Sequence, residues 1–365
     1  MGKRMEKTVY FDHAAATVPD AEVLALFEKE SLRCYANAEA VHLLAYQARE
    51  NLKRAAKRLS QALFGSEEYP VIWGNSATEL FRVLASFPEF SSSSASKLEH
   101  PALLANLKNF TALELLSVMP DCSIRSGTLE KRYDLGCCHQ VQSELGSFGH
   151  PGEFFRTSAF SCRAVDAVQA AGKLPLEKDA DVWIISGVKL GSPGGAAMLL
   201  APDGKWTEKL LKHAENVRHL DYALSRVSVP GMAALSFAVE KSCASMSENF
   251  RKVLEINQFI RRECRELGIT TSLPESVETS PYILNLLLEK EESAVVVRAL
   301  GMRNVFVASG SACSAESGKP SAALTALGFP AQKAYRALRL SFSAANSIED
   351  AEIFLRELKN VLKNY

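Results

Sequence analysis

Apolar residues fall along this chain in short blocks that switch between helical and strand-like spacing. The stretch HLLAYQARENLKRAAKRLSQALFG (42–65) carries them at helical spacing and stops at Gly65, a residue suited to a C-cap. It predicts a long amphipathic helix, preceded by a strand-like TVYFD and a first helix. YPVIWG reads as a short buried strand that opens into NSATELFRVLASF, a helix with its N-terminus near Ser76 to Thr78. SSSSAS (91–96) is expected to be a small solvated loop within a domain.

From about 113 to 200 the runs LELLSV, YDLGCC, AFSCRAV, DVWIIS and AAMLLA alternate with turns and helical segments. That order predicts an α/β fold with a mainly parallel sheet covered by helices. After Pro230 one helical pattern runs to Gly268. YILNLLLE, the helix EESAVVVRALG, the strand NVFVAS, two short helices and LRLSFS follow. A closing helix begins at a capping box, Ser347 to Asp350. The expected division is a large domain over 16–225 and a smaller α+β domain from 1–15 and 226–365.

Composition narrows the classes. At 365 residues the length prior favours about two domains, and 47% hydrophobic residues can bury a large core. Basic and acidic residues balance at 42 each, so no net field draws nucleic acid or an anionic membrane. The longest apolar runs are too short to span a bilayer, and MGKRMEKTVYF has no apolar signal core, so the cytoplasm is the expected compartment. The eight cysteines read as mostly buried thiols. No CxxC or HExxH occurs; the adjacent Cys137, Cys138 and His139 could suggest a metal, but neighbours in a strand point to opposite faces and core packing fits them better. No metal is expected.

Two constellations carry candidate chemistry. In RAVDAVQAAGKLP an aspartate, Asp166, ends one strand, and in DVWIISGVKLGSPGG a lysine, Lys189, follows another. A lysine directly after a buried strand suits a depressed pKa or covalent capture of a carbonyl, and a strand-end aspartate can pair with a protonated ring nitrogen. A surface lysine and a helix N-cap aspartate fit the same spacing. NSAT (75–78) leads into a helix whose backbone N–H groups could bind phosphate. Cys313, in ASGSACSAESGKPS, sits among small residues with little to pack against.

In order along the chain, YFDHAAAT, YANAEAVH, SATE, EH, SELGSF, VDAVQAAGK, SGVKLGSPGG, SGSACS and LRLSFS together resemble the cysteine desulfurases. These form part of the class V aminotransferase branch of fold-type I pyridoxal-phosphate enzymes. The resemblance runs from about Val9 to about Asn360, and VDAVQAAGK and SGSACS are its most specific pieces. It implies a large domain with a seven-stranded, mainly parallel sheet, a small C-terminal domain carrying the cysteine loop, a homodimer and pyridoxal 5'-phosphate as cofactor. Lys189 matches the lysine that links to the cofactor, Asp166 the partner of its ring nitrogen, and Gln169 the donor to its phenolic oxygen. His100 matches the histidine that stacks on the ring and shuttles protons. Ala77, Thr78 and Ser186 fall on phosphate-cradle positions, Ser143 on a ring-side position, and Asn37 and Arg339 on the pair that grips the substrate carboxylate. Cys313 matches the nucleophile that leaves as a persulfide destined for an acceptor protein.

The implied reaction converts L-cysteine, or a related amino acid as in selenocysteine lyases, to alanine. Val188, Ser143 and Ala164 stand where the family pattern has His, Asn and His. Arg226 aligns near a lost phosphate-binding threonine, where a phosphate contact or a plain surface arginine both fit. These departures keep two alternatives open: a non-catalytic dimeric relative that binds or regulates a partner, and an aminotransferase acting on a different amine.

Overall fold

The computed structural model describes residues 7–124, 131–219, 226–310 and 320–363. Cys313 and its loop lie outside the described residues.

The strands are β1 (Val9–Tyr10), β2 (Val71–Gly74), β3 (Ser92–Ser96), β4 (Ala112–Leu116), β5 (Arg132–His139), β6 (Ala159–Asp166), β7 (Val182–Ser186), β8 (Ala196–Leu200), β9 (Thr270–Thr271), β10 (Ile283–Leu287), β11 (Val305–Phe306), β12 (Ala308–Ser309) and β13 (Ala337–Ser341). The helices used below are α1 (Ala21–Arg33), α2 (Leu43–Phe64), α3 (Ala77–Ala85), α4 (Pro101–Phe110), α5 (Pro151–Phe154), α6 (Thr207–His219), α7 (Val229–Ala244), α8 (Met246–Glu266) and α9 (Ser293–Gly301).

A seven-stranded sheet runs in the order β2-β8-β7-β6-β5-β3-β4. Every neighbouring pair from β7 to β4 is parallel, and β8 alone runs against both its neighbours. Side-chain alternation splits its apolar residues between two cores. Cys138, Val165, Trp183 and Ile185 join one cluster with α2 and α7, while Cys137, Ala164, Val182 and Ile184 join another with α3 and α4. The adjacent cysteines thus face opposite sides, and burial raises both thiols well above their ordinary value.

The predicted long helix is α2, and Gly65 closes it at φ 72°, where glycine escapes the Cβ penalty. Ser76 caps α3 by accepting from the Glu79 N–H. The capping box of the closing helix Ile348–Lys363 is reciprocal: Asp350 N–H reaches Ser347 Oγ and Ser347 N–H reaches Asp350 Oδ2.

Two expectations are corrected. SSSSAS is not a solvated loop: Ser92–Ser96 is strand β3, paired with β4 and β5 and largely buried. Most of its hydroxyls find local partners: Asp134 Oδ2 accepts from the N–H and hydroxyl of both Ser91 and Ser92, Ser93 bonds Thr111 and Ser96 donates to Glu99, while the Ser94 hydroxyl has no partner among the described residues. The helical pattern from Pro230 to Gly268 is two helices that break at Ser245, which ends α7 and starts α8. Met232, Leu235 and Val239 of α7 belong to the sheet core, whereas Val253, Ile256 and Ile260 of α8 belong to a third core around β10 and β13.

That third core lies under an antiparallel sheet, β12-β13-β10-β9, and includes Val9 and Phe11 from the far end of the sequence. β1 pairs in parallel with β11, and the Ala14 N–H donates to Ser341 Oγ at 2.8 Å across 327 positions. Among the described residues no helix is long and apolar enough to cross a membrane.

Candidate active site

The parallel strands all end on one edge of the large sheet, which is where loops can converge on a ligand in open α/β folds. Register places Asp166, at the end of β6, directly beside His139, at the end of β5. One strand away in the other direction β7 ends at Ser186 and turns through Gly187 to Lys189. Gly187 is required there, because a Cβ would lie 2.4 Å from the Gly194 carbonyl oxygen.

A cavity of about 150 Å³ opens on this edge, and its lining includes His100, His139, Asp166, Gln169, Lys189 and Arg339, together with Ala14, Ala15 and Ser143. Lys189 Nζ donates to the Ala15 carbonyl at 2.5 Å, and Thr17 Oγ1 donates to the Lys189 carbonyl at 3.0 Å. Gln169 Nε2 donates to the Ala14 carbonyl at 3.0 Å. The N-terminal segment therefore forms one side of the site.

Asp166 is buried, and its carboxyl is pushed up to about 6, chiefly by desolvation. The Val168 N–H at 3.0 Å, His139 and Lys189 favour its charged form, and Glu99 opposes it. Glu99 holds His139 at both ends, accepting from its backbone N–H at 2.7 Å and meeting Nδ1 at 2.8 Å. Burial disfavours charge on that imidazole, but Glu99 wins and its pKa is raised. His100 is different. Its Nδ1 accepts from the Ala102 N–H at 3.1 Å, capping α4, while burial and Lys189 lower its pKa. It is a neutral imidazole with its proton on Nε2.

Arg339, on β13, is 2% exposed. Asp12 Oδ1 accepts from Nη2 at 2.7 Å and the Ser143 carbonyl accepts from Nη1 at 3.0 Å, leaving Nε without a partner. Two-sided anchoring fixes the guanidinium plane at the cavity wall.

Other expected residues lie outside this cavity. Ser186 is buried at the end of β7, while Ala77 and the exposed Thr78 open α3 at the end of β2. Gly74 and Ser186 both pair with Ala196 in the register of β8, so these phosphate-cradle positions share the same sheet edge. Asn37 is half-buried in a turn, its Oδ1 accepting from the Glu39 N–H. Arg226 donates to the Tyr35 carbonyl at 3.1 Å on the surface. Val188 contributes its carbonyl to the Thr17 N–H, and Ala164 is buried in the sheet core.

The sequence pattern did not single out Asp12, Glu99, Lys173 or, as a site group, His139. For His139 the available signal was its place at a strand end adjacent to the strand ending in Asp166.

Comparison with known proteins adds a family. The Aminotransferase class-V profile matches residues 9–354. The chain belongs to the aminotransferase class-V family. Among similar proteins, "Cysteine desulfurase" of Sinorhizobium fredii is 27% identical, with 98% of this chain and 97% of that protein aligned. "Cysteine desulfurase NifS" of Azotobacter vinelandii is 24% identical, over 97% and 92%. Of solved structures, a NifS-like protein from Rickettsia africae superposes with a TM-score of 0.81 at 19% identity, over 98% of this chain and 100% of that one. The apo cysteine desulfurase from Thermococcus onnurineus gives 0.77 at 16%, over 98% and 95%.

The residues present fit pyridoxal phosphate at its ring end. A buried carboxylate without an ion-pair partner among the described residues suits a cationic ring nitrogen, and an amine, an amide and an imidazole line the same wall. The volume is below the roughly 300–1,000 Å³ that encloses a whole drug-sized ligand. These residues would hold the ring, and the first turn of α3, at the same sheet edge, would be available to the phosphate.

Proposed function

We propose that this protein is a pyridoxal-phosphate-dependent cysteine desulfurase, converting L-cysteine to L-alanine and transferring the sulfane sulfur to Cys313 as a persulfide. One arrangement carries the reading: Lys189, Asp166, Gln169, His100 and Arg339, scattered in sequence, line a single cavity at the edge of the sheet. Family membership over residues 9–354 supports it independently.

When bound, the cofactor supplies an electron sink conjugated to the substrate's α-carbon. Lys189 would hold it covalently, Asp166 would pair with its ring nitrogen, and Gln169 would donate to its phenolic oxygen. Ala77, Thr78 and Ser186 would receive the phosphate, with Ser143 at the ring side. Arg339 keeps unused donor capacity for the substrate carboxylate, and Asn37 is its proposed companion. The neutral His100 imidazole carries a proton at Nε2 and moves protons at substrate atoms. The Cys313 thiolate attacks the substrate sulfur: an S–S bond forms, the Cβ–S bond breaks with its electron pair on carbon, and that carbon takes a proton to become the alanine methyl.

The active form is a homodimer in this reading. Leu32, Tyr35, Val41, Leu43 and Tyr46 place large apolar side chains in solvent around the junction of α1 and α2, with Val41 fully exposed. A cytoplasmic location, a sulfur-acceptor protein and a role in iron–sulfur cluster biogenesis complete the proposal, with Cys313 as the delivery point.

The absorption spectrum tests it. Purified protein reconstituted with pyridoxal phosphate should show the near-visible band of bound cofactor, and Lys189→Ala should abolish it. Cys313→Ala should keep the band and lose sulfide release from cysteine. A protein that stays colourless after reconstitution would refute the function, and undiminished sulfide release by Cys313→Ala would remove the cysteine from it.

A further inference from the structure

The motif VDAVQAAGK ends in a lysine, Lys173, to which the proposed chemistry gives no task. Lys173 is 8% exposed, and its ammonium forms no ion pair among the described residues. Its Nζ donates to Gln169 Oε1 at 3.4 Å and lies 5.7 Å from the centre of the Tyr282 ring. Such burial without a carboxylate is expensive for a lysine.

Gln169 explains the position. Its side-chain amide is held at both ends, Nε2 by the Ala14 carbonyl at 3.0 Å and Oε1 by Lys173. Turning the amide over would set Oε1 against the Ala14 carbonyl, acceptor against acceptor, and Nε2 against the lysine donors. Only the observed orientation satisfies both neighbours. It leaves the second Nε2 hydrogen available on the side of the cavity that Gln169 lines.

We propose that Lys173 is a positioning residue that fixes the Gln169 amide with its N–H, and not its carbonyl, turned to the cavity. The assignment of the cofactor's phenolic oxygen as recipient of that N–H rests on the function proposed above.

The groups that face Lys173 set its charge. Lys189 lies close enough to repel it, and burial and that repulsion together lower it to about 7. His13 is neutral, itself lowered to about 4 by burial and by Lys173, and Tyr282 stays un-ionised because burial raises its phenol. The hold on Oε1 is therefore strongest below pH 7, where all three N–H groups are present.

Two measurements test this. In ¹⁵N-labelled apoprotein, the Gln169 side-chain amide resonance, assigned by its loss in Gln169→Ala, should titrate with a midpoint near 7 and cease to do so in Lys173→Met. Pyridoxal 5'-phosphate titrated into apoprotein should bind about tenfold more weakly to Lys173→Met, the weight of one charged hydrogen bond. In a Gln169→Ala background the same substitution should change affinity less than twofold. A Gln169 resonance that does not titrate in the wild type, or an equal effect of Lys173→Met in both backgrounds, overturns the proposal. If the amide titrates while wild-type protein binds no cofactor, the functional reading fails and the Lys173–Gln169 coupling stands.

Discussion

Asp166→Asn should make the cofactor-free protein more stable while removing its function. The buried carboxyl has its pKa raised from 3.8 to about 6, so between those values the folded state holds a proton that the unfolded state has released. Stability from this group is therefore full below about pH 4 and falls as pH rises through about 6. At about 1.4 kcal/mol per unit the loss is about 3 kcal/mol at pH 8, which a neutral amide would not suffer. The amide oxygen of the substituted side chain can still accept from the Val168 N–H, as Asp166 Oδ1 does, so the local turn is retained.

Urea unfolding of both apoproteins from pH 4.5 to 8 measures the difference. Other groups also titrate: His13, lowered to about 4, makes stability rise with pH over an overlapping window. That contribution is common to both proteins and cancels in the difference. The difference should grow from about 1 kcal/mol at pH 4.5 to about 3 kcal/mol at pH 8 in favour of Asp166→Asn. A constant difference across this range, or a variant less stable than wild type at pH 8, would show that Asp166 is not held in a desolvated, proton-retaining site.

Gly146→Ala should destabilise the fold by about 1–3 kcal/mol, because the residue sits at φ 76° and a Cβ would lie 2.9 Å from the Ile283 carbonyl oxygen. Chemical denaturation reads the loss, and because the strain falls beside Ser143, cofactor affinity should drop as well. Val41→Asp should separate the proposed dimer: a charge buried twice across a two-fold interface costs about 4 kcal/mol, about a thousandfold in the dissociation constant by sedimentation equilibrium. A variant that stays dimeric at micromolar concentration would move the interface away from the α1–α2 junction.

The sheet was legible because its strands are continuous apolar runs, as buried parallel strands must be, with helices between them. β3 was not, because hydropathy cannot see a strand built almost wholly of serines, held in part by Asp134, Thr111 and Glu99. The break between α7 and α8 was equally hidden: both helices present apolar faces, but to different cores. At the site, motif residues such as Asp166 and Lys189 announced themselves by standing at strand ends. Glu99 and Lys173 did not, since their importance lies in what they hold, His139 and Gln169, and such partnerships exist only once the strands are side by side. Asp12 escaped for the same reason, because its partner Arg339 is 327 positions away.

That last separation has a kinetic side. The segment carrying Asp12, Ala14 and Ala15 is among the first parts of the chain to be synthesised, yet the Ser341 hydroxyl that anchors it comes close to the end. Closing so long a loop costs about 5 kcal/mol of chain entropy beyond a constant, and sets a high contact order on this one step. The large sheet and its helices can gather earlier through more local contacts. The wall that meets Lys189 and Gln169 can only be raised once β11 and β13 exist to receive it. Nascent chains will thus pass through a stage with a formed sheet and an unwalled cavity, and loading of any cofactor belongs after translation.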